Sequence, residues 1–208
     1  METKLKFDSH VTTLCNKASN KLHALSRVSK YMKFNQRKTI LASYIISQFG
    51  HCPLVWIFHS RKLNNRINRL HKRSLQLVYQ DEQASFENLL SRDGSVTVHH
   101  HNVQTLCIEL YKVAYGFAPE LMKLVFPLNP RGKFVWENIF KTHNVKTTTW
   151  GLETLGHIGP KIWSEIPTEL KKLPFSKFVI EIRKWKPKCP CRMCKLYVKD
   201  LGYVTVSN

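Results

Sequence analysis

The chain has 208 residues and a mass of 24.4 kDa, with 43% hydrophobic and 23% charged residues, a balance that supports a buried core and excludes a polyelectrolyte that is disordered throughout. Apolar runs are no longer than segments such as Leu54 to Phe58, far short of the ~18 residues a membrane helix needs, so no spanning segment is expected. Lysine and arginine outnumber aspartate and glutamate 33 to 14, and residues 1–80 hold 15 of the basic but two of the acidic residues, a net of +13 within +19 overall. A positive field this concentrated suits a polyanion, nucleic acid first and an anionic membrane surface second, with solubility as the plain alternative. The amino end mixes charges from Glu2 onward and does not read as a secretory signal.

In chain order, Val11, Leu14, Cys15, Ala18, Leu22, Leu25 and Val28 recur at helical spacing and predict a helix over 9–32, capped by Asp8 or Ser9. Ile40, Leu41, Tyr44, Ile45 and Phe49 predict a second, opened by Asn35 and closed at Gly50. Ser60 is placed to cap a third over 61–79. A short helix from Ser85 to Leu90 and a turn at Asp93-Gly94 follow, then a longer helix from Val98 to Tyr115 and a short one from Pro119 to Phe126. Residues 127–150 lack a clear period and read as an irregular connection. Beyond them, Gly156-His-Ile-Gly-Pro160 reads as a turn, with short helices over 161–165 and 167–172 and a last one, capped by Ser176, that buries Phe178, Ile182 and Trp185. The tail from Leu196 to Val206 has two β-prone pieces. The expected fold is mainly α: a basic helical region over 1–126, the connection, and a small irregular or β-containing subdomain over 151–208.

The third helix carries the clearest binding pattern. At ~100° per residue, Arg61, Lys62, Arg66, Arg69, Lys72 and Arg73 fall within an arc of roughly 140°, and Leu63, Ile67, Leu70, Leu77 and Val78 occupy the neighbouring arc, with Leu75 outside this partition. Cations along one side of a helix can meet successive phosphates and release counterions, although a solvated amphipathic face has the same appearance. Lys17, Lys21, Arg37 and Lys38 extend the basic character over the two preceding helices. Tyr31, Phe34, Tyr44, Trp56 and Phe58 could stack on bases, but core packing is the simpler expectation. Adjacent His99, His100 and His101 point ~100° apart on a helix and read as a polar helix start, while His59, His71, His143 and His157 stand singly and read as structural.

Cys189, Cys191 and Cys194 lie within six residues beside Arg192 and Lys195, so they can offer three soft ligands to a structural zinc ion, with Cys52, Cys107 or His157 as the missing fourth. Free thiols fit the same spacing, whereas a disulfide is disfavoured because no export signal points to an oxidising compartment. The four aspartates, Asp8, Asp81, Asp93 and Asp200, form no pair, and phosphate-binding glycine loops and hydrolase motifs are missing, so no self-contained active site is expected.

The strings Leu5-Lys-Phe-Asp-Ser-His10, Leu14-Cys-Asn-Lys-Ala18 and Lys21-Leu22 resemble the region just past the catalytic palm in reverse transcriptases of non-LTR retrotransposons, of the jockey and CR1 type. Ser47-Gln-Phe-Gly-His-Cys-Pro-Leu-Val-Trp56, Phe58-His-Ser-Arg61 and Leu63-Asn-Asn-Arg-Ile-Asn-Arg-Leu-His71 are similar to its most recognisable blocks. Tyr111-Lys112, Pro119-Glu-Leu-Met122, Gly159-Pro-Lys-Ile-Trp163 and Cys189-Pro-Cys-Arg-Met-Cys-Lys195 are similar to its closing segments. Departures are His101, where the family commonly has arginine, and Asn129-Pro-Arg131 in place of an Asn-Leu-Arg stretch. The resemblance implies the carboxy-terminal, thumb-side part of an RNA-directed DNA polymerase, whose paired aspartates and magnesium site have no counterpart in this sequence. It further implies RNA or RNA–DNA duplex as partner, with no small-molecule substrate, and an intracellular, nuclear setting. A non-catalytic protein-interaction or assembly module is the alternative.

Overall fold

In the computed structural model, which describes residues 7–129, 139–142 and 154–186, the 3.6-residue apolar repeats become helices and the protein is mainly α. Two compact units divide the chain, Met1–His99 and His100–Asn208. Composition places the change of subdomain later, in the 127–150 connection.

The first unit is built on α1, Asp8–Val28, and α3, Arg61–Tyr79. The stripe Val11, Leu14, Cys15, Ala18, Leu22 and Leu25 of α1 is buried, whereas Val28 is exposed where the helix tightens into a 3₁₀ turn, Ser29–Tyr31. Helix α2, Phe34–Ile40, opens at Lys33, one turn edge before the expected Asn35 cap, because the Gln36 side-chain oxygen accepts from the Lys33 amide at 2.9 Å. It continues as a π-helical turn, Leu41–Ile45, and a 3₁₀ turn, Ile46–Phe49. Residues spaced four apart drift around a 3.6-residue helix, and the wider π turn offsets that drift. Leu41, Ile45 and Phe49 thereby all reach the core.

Helix α4, Phe86–Asp93, starts as expected at Ser85, whose hydroxyl accepts from the Asn88 amide at 3.2 Å. It runs one turn past Leu90 and stops at Gly94, whose φ of 67° is left-handed. Phe86 and Leu89 join Leu63, Ile67, Leu70, Leu75 and Val78 of α3 in the same core as the α1 stripe.

Helix α5, Val98–Ala114, spans the division between the units, and its three histidines lie in its first turn and just beyond. The second unit contains the rest of α5 with α6, Glu120–Val125, α7, Leu155–Glu165, α8, Thr168–Lys171, and α9, Phe175–Lys184. Its core is aromatic: the Tyr111 ring stacks on Tyr115 and Phe178 at centroid distances of 4.2 and 4.3 Å, and its hydroxyl donates to the Leu173 carbonyl at 2.7 Å. Phe140 meets Trp163 edge-on at 5.4 Å. The Phe140 side of the connection is held by an antiparallel bridge to Leu128, with the Asn129 amide on the Ile139 carbonyl and the Lys141 amide on the Pro127 carbonyl, both at 2.8 Å.

The segment Gly156 to Pro160, expected as a turn, is helical and buried within α7. The glycine serves close approach: a Cβ on Gly159 would stand 2.7 Å from Phe126 Cε1. Lack of a Cβ also relieves the clash that keeps most residues before proline out of the helical region. Trp185, expected on the apolar stripe of the last helix, lies just past the end of α9 and is half-buried. The β-prone tail lies outside the described residues.

Gly159→Ala is expected to lower stability by about 1–3 kcal/mol in chemical denaturation, the usual cost of overpacking a filled site. Combined with Phe126→Leu it should cost less than the sum of the two single changes, because the leucine vacates the space the new methyl requires.

Candidate nucleic-acid interface

Nine residues of α3 are buried: Leu63, Asn64, Ile67, Asn68, Leu70, His71, Ser74, Leu75 and Val78. They fill a sector of roughly 160° at ~100° per residue, which accounts for Leu75: the buried side is broader than its apolar members alone suggest. The complementary arc holds Arg61, Lys62, Arg69 and Arg73, exposed, with Arg66 and Lys72 half-buried. These six lie on one side of one rod, spanning roughly 18 Å at ~1.5 Å per residue. Lys62, Arg66, Arg69, Lys72 and Arg73 form no ion pair among the described residues.

Helix α1 flanks this row and runs in the same direction. The Arg37 guanidinium bonds the Ser29 carbonyl, just past the end of α1, and the Val78 carbonyl, near the end of α3, at 3.3 and 3.0 Å. Midway, Arg66 donates to the Asn16 side-chain oxygen at 2.5 Å. At the starting end, Asp8, Thr12, Ser60, Lys62, Arg66 and Arg69 line a groove of about 500 Å³. Asp8, Thr12 and Asn16 recur every four residues along α1, a periodicity visible in the sequence but obscured by the attention its apolar stripe attracts.

The other four basic residues are used differently. Lys17 is exposed on α1, and Lys21 lies over the Tyr44 ring at 4.1 Å from its centroid. Arg37, expected on the binding surface, is 7% exposed and also donates to the Met32 carbonyl at 2.7 Å, so it is an internal clamp on three main-chain carbonyls and not part of the exposed row. Lys38 pairs with Asp93 at 2.9 Å, and that contact raises its pKa. Burial alone would raise the Asp93 carboxyl, but the bonds from Lys38 and Tyr79 hold it below its ordinary value. Lys38 therefore ties α2 to the end of α4.

Core packing, expected for the aromatics, holds for Trp56, whose indole N–H donates to the His51 carbonyl at 3.1 Å, and partly for Phe58. Tyr31 and Tyr44 instead stand out into solvent, 83% and 48% exposed, and Phe34 lies partly exposed against Tyr79. Their rings occupy positions where the adjoining α1 stripe is already filled.

His59 and His71 are buried, as the structural expectation requires; the Nδ1 of His59 donates to the Trp56 carbonyl at 2.9 Å. His157 is buried in α7 and takes a bond from Lys161 at 2.8 Å. Of the proposed fourth ligands for zinc, Cys107 is buried and Cys52 exposed. Cys189, Cys191 and Cys194 lie outside the described residues, as does His143; among the described residues no three His, Cys, Asp or Glu side chains gather as a metal site.

Comparison with family models, with curated proteins and with solved structures finds no match for this chain.

The packing beneath the cationic row has a measurable pH signature. Burial lowers the His71 pKa from 6.5 to about 4, and burial also lowers those of His59 and His101. Between pH 6.5 and 4 the unfolded chain takes up a proton at His71 that the folded chain refuses, so stability is full above this window and falls as pH drops through it. His71 alone should account for about 3 kcal/mol across the window. Urea denaturation at pH 7 and pH 5 should show the loss, and His71→Met should reduce the difference between the two pH values.

Proposed function

We propose that the chain is a thumb-side portion of a non-LTR retrotransposon reverse transcriptase and binds RNA or RNA–DNA duplex, with little regard to sequence, through the exposed arc of α3. The observation that carries this reading is the row of five cations, Lys62, Arg66, Arg69, Lys72 and Arg73, aligned on a helix whose opposite side is locked in a core and paired with no acid among the described residues. Arg61 stands at the head of the same row. Such an array follows a phosphodiester backbone, which carries charge but no sequence information. Lys17 and the Lys21–Tyr44 pair extend it with a cation and an exposed ring able to stack on a base. In this reading the copying chemistry, its magnesium and its paired aspartates belong to another part of the parent polymerase.

With five or six phosphates contacted, log K should fall with log salt at a slope of about −4 to −5, at ~0.9 per phosphate of duplex. Exchanging Arg66, Arg69 and Arg73 for glutamate should lower the magnitude of that slope by about 3 and weaken binding to all sequences alike, measured by fluorescence anisotropy with labelled duplexes. Association that ignores salt, or survives the triple exchange, would overturn the assignment.

One observation favours the second reading, a protein-assembly module, for the other unit. Phe117, Leu121 and Leu124, on and beside α6, are 66–74% exposed, more contiguous apolar surface than a short polar-flanked helix usually leaves in water. Self-association that persists after nuclease treatment and is lost on Leu121→Asp with Leu124→Asp would support it; sedimentation velocity distinguishes the outcomes.

A further inference from the structure

Asp8 is out of place on a surface built for polyanions. The groove at the head of α3 is lined by Asp8 together with Lys62, Arg66 and Arg69, and by Thr12 and Ser60. Phosphate oxygens only accept hydrogen bonds, so an aspartate beside them repels and lowers the affinity of the groove for any backbone that offers phosphate alone. An acid in the first turn does suit the dipole of α1, but that effect needs only proximity to the helix start. Ser9, in the same turn, is exposed to solvent, and an acid at that position would serve the dipole equally well.

The groove's chemistry is complementary to a ribose phosphate. Its α3 wall offers charged donors to the phosphate. Its α1 wall offers a carboxylate, which as an ion only accepts, to a sugar hydroxyl that can donate. RNA has such a donor, the 2′-hydroxyl, and DNA does not. Thr12 already donates its proton to the Asp8 main-chain carbonyl at 2.7 Å, which leaves the threonine oxygen as a further acceptor on the same wall.

Resting on the nucleic-acid reading above, we propose that Asp8 is the strand-discriminating residue of this surface: the cations of the groove hold a backbone phosphate, and the Asp8 carboxylate accepts from the adjoining 2′-hydroxyl, so that strands of RNA are favoured over strands of DNA. The carboxylate lowers affinity for every backbone, and RNA alone recovers the loss through the added charge-assisted bond.

The test uses the whole chain and three labelled duplexes of one sequence, RNA–RNA, RNA–DNA and DNA–DNA, at a fixed low salt concentration. The wild type should bind the RNA-containing duplexes about 3- to 10-fold more tightly than DNA, the range one hydrogen bond to a charged acceptor at a partly wet site provides. Asp8→Ala, which removes both the charge and the acceptor, should bind DNA more tightly than the wild type does and bring the three affinities together. A measurement independent of any effect of the variant on α1 is the wild type with 2′-O-methylated RNA, which keeps the A-form shape and removes the donor; its affinity should drop toward that of DNA. Equal wild-type affinities for RNA and DNA, or an Asp8→Ala variant that strengthens all three duplexes by the same factor, would overturn the role of Asp8 and leave the binding surface in place. Absence of binding to all three would instead remove the nucleic-acid reading itself.

Discussion

The rotational setting of α3 governs the first unit. A helix with nine buried side chains on roughly 160° of its circumference and six cations on most of the remainder has one acceptable orientation. Rolling it by a single residue position, ~100°, would drive arginines into the core and expose Leu75 in one direction or Leu63, Ile67 and Leu70 in the other. The α1 stripe can therefore meet only one face, and the flank that α1 presents beside the cations follows from that contact. The position of Asp8, Thr12 and Asn16 along the row is a by-product of burying Val11, Cys15 and Ala18 on the next face of the same helix.

The buried sector is not uniformly apolar. Asn64, Asn68 and His71 are buried beside leucines and isoleucine, and Asn64 Oδ1, Asn68 Oδ1 and His71 Nδ1 have no hydrogen-bond partner among the described residues, a desolvation cost that the surrounding apolar packing has to offset. The far end is set by two further polar devices. Arg37 gathers carbonyls from the ends of α1 and α3, and Lys38 with Tyr79 converges on Asp93 of α4.

Helix periodicity was legible because burial imposes it: the stripes of α1 and α3, and the Ser85 cap of α4, follow directly from residue spacing. The cationic arc was legible for the same reason, since a helix that fixes one side fixes the other. What spacing conceals is long-range partnership. Arg37 and Lys38 are neighbours of like charge in sequence, and only the return of α3 gives the first the Val78 carbonyl, as that of α4 gives the second a carboxylate. Gly159-Pro160 carries the local signature of a turn, and the requirement that reverses it is a ring 33 residues away, Phe126, seated against the glycine. Tyr31 and Tyr44 have the composition of core residues, but the core they would enter is already filled by Leu22, Leu25 and Leu41.

The choice of cation bears on whether the exposed arc serves solubility or recognition. Across the chain lysine outnumbers arginine 23 to 10, yet arginine supplies four of the six residues on the arc, and those four lie within the 13 positions from Arg61 to Arg73. Solubility is indifferent to this exchange and is better served by acidic residues than by basic ones. Phosphate is not indifferent: the planar guanidinium presents paired donors in a fixed fork, loses less freedom per bond formed, and is more weakly hydrated than an ammonium. Charge reserved for keeping a protein in solution would also be spread over its surface, where mutual repulsion is least. Here it is drawn into a row, and the mutual repulsion that this arrangement concentrates would be relieved by an opposing anion.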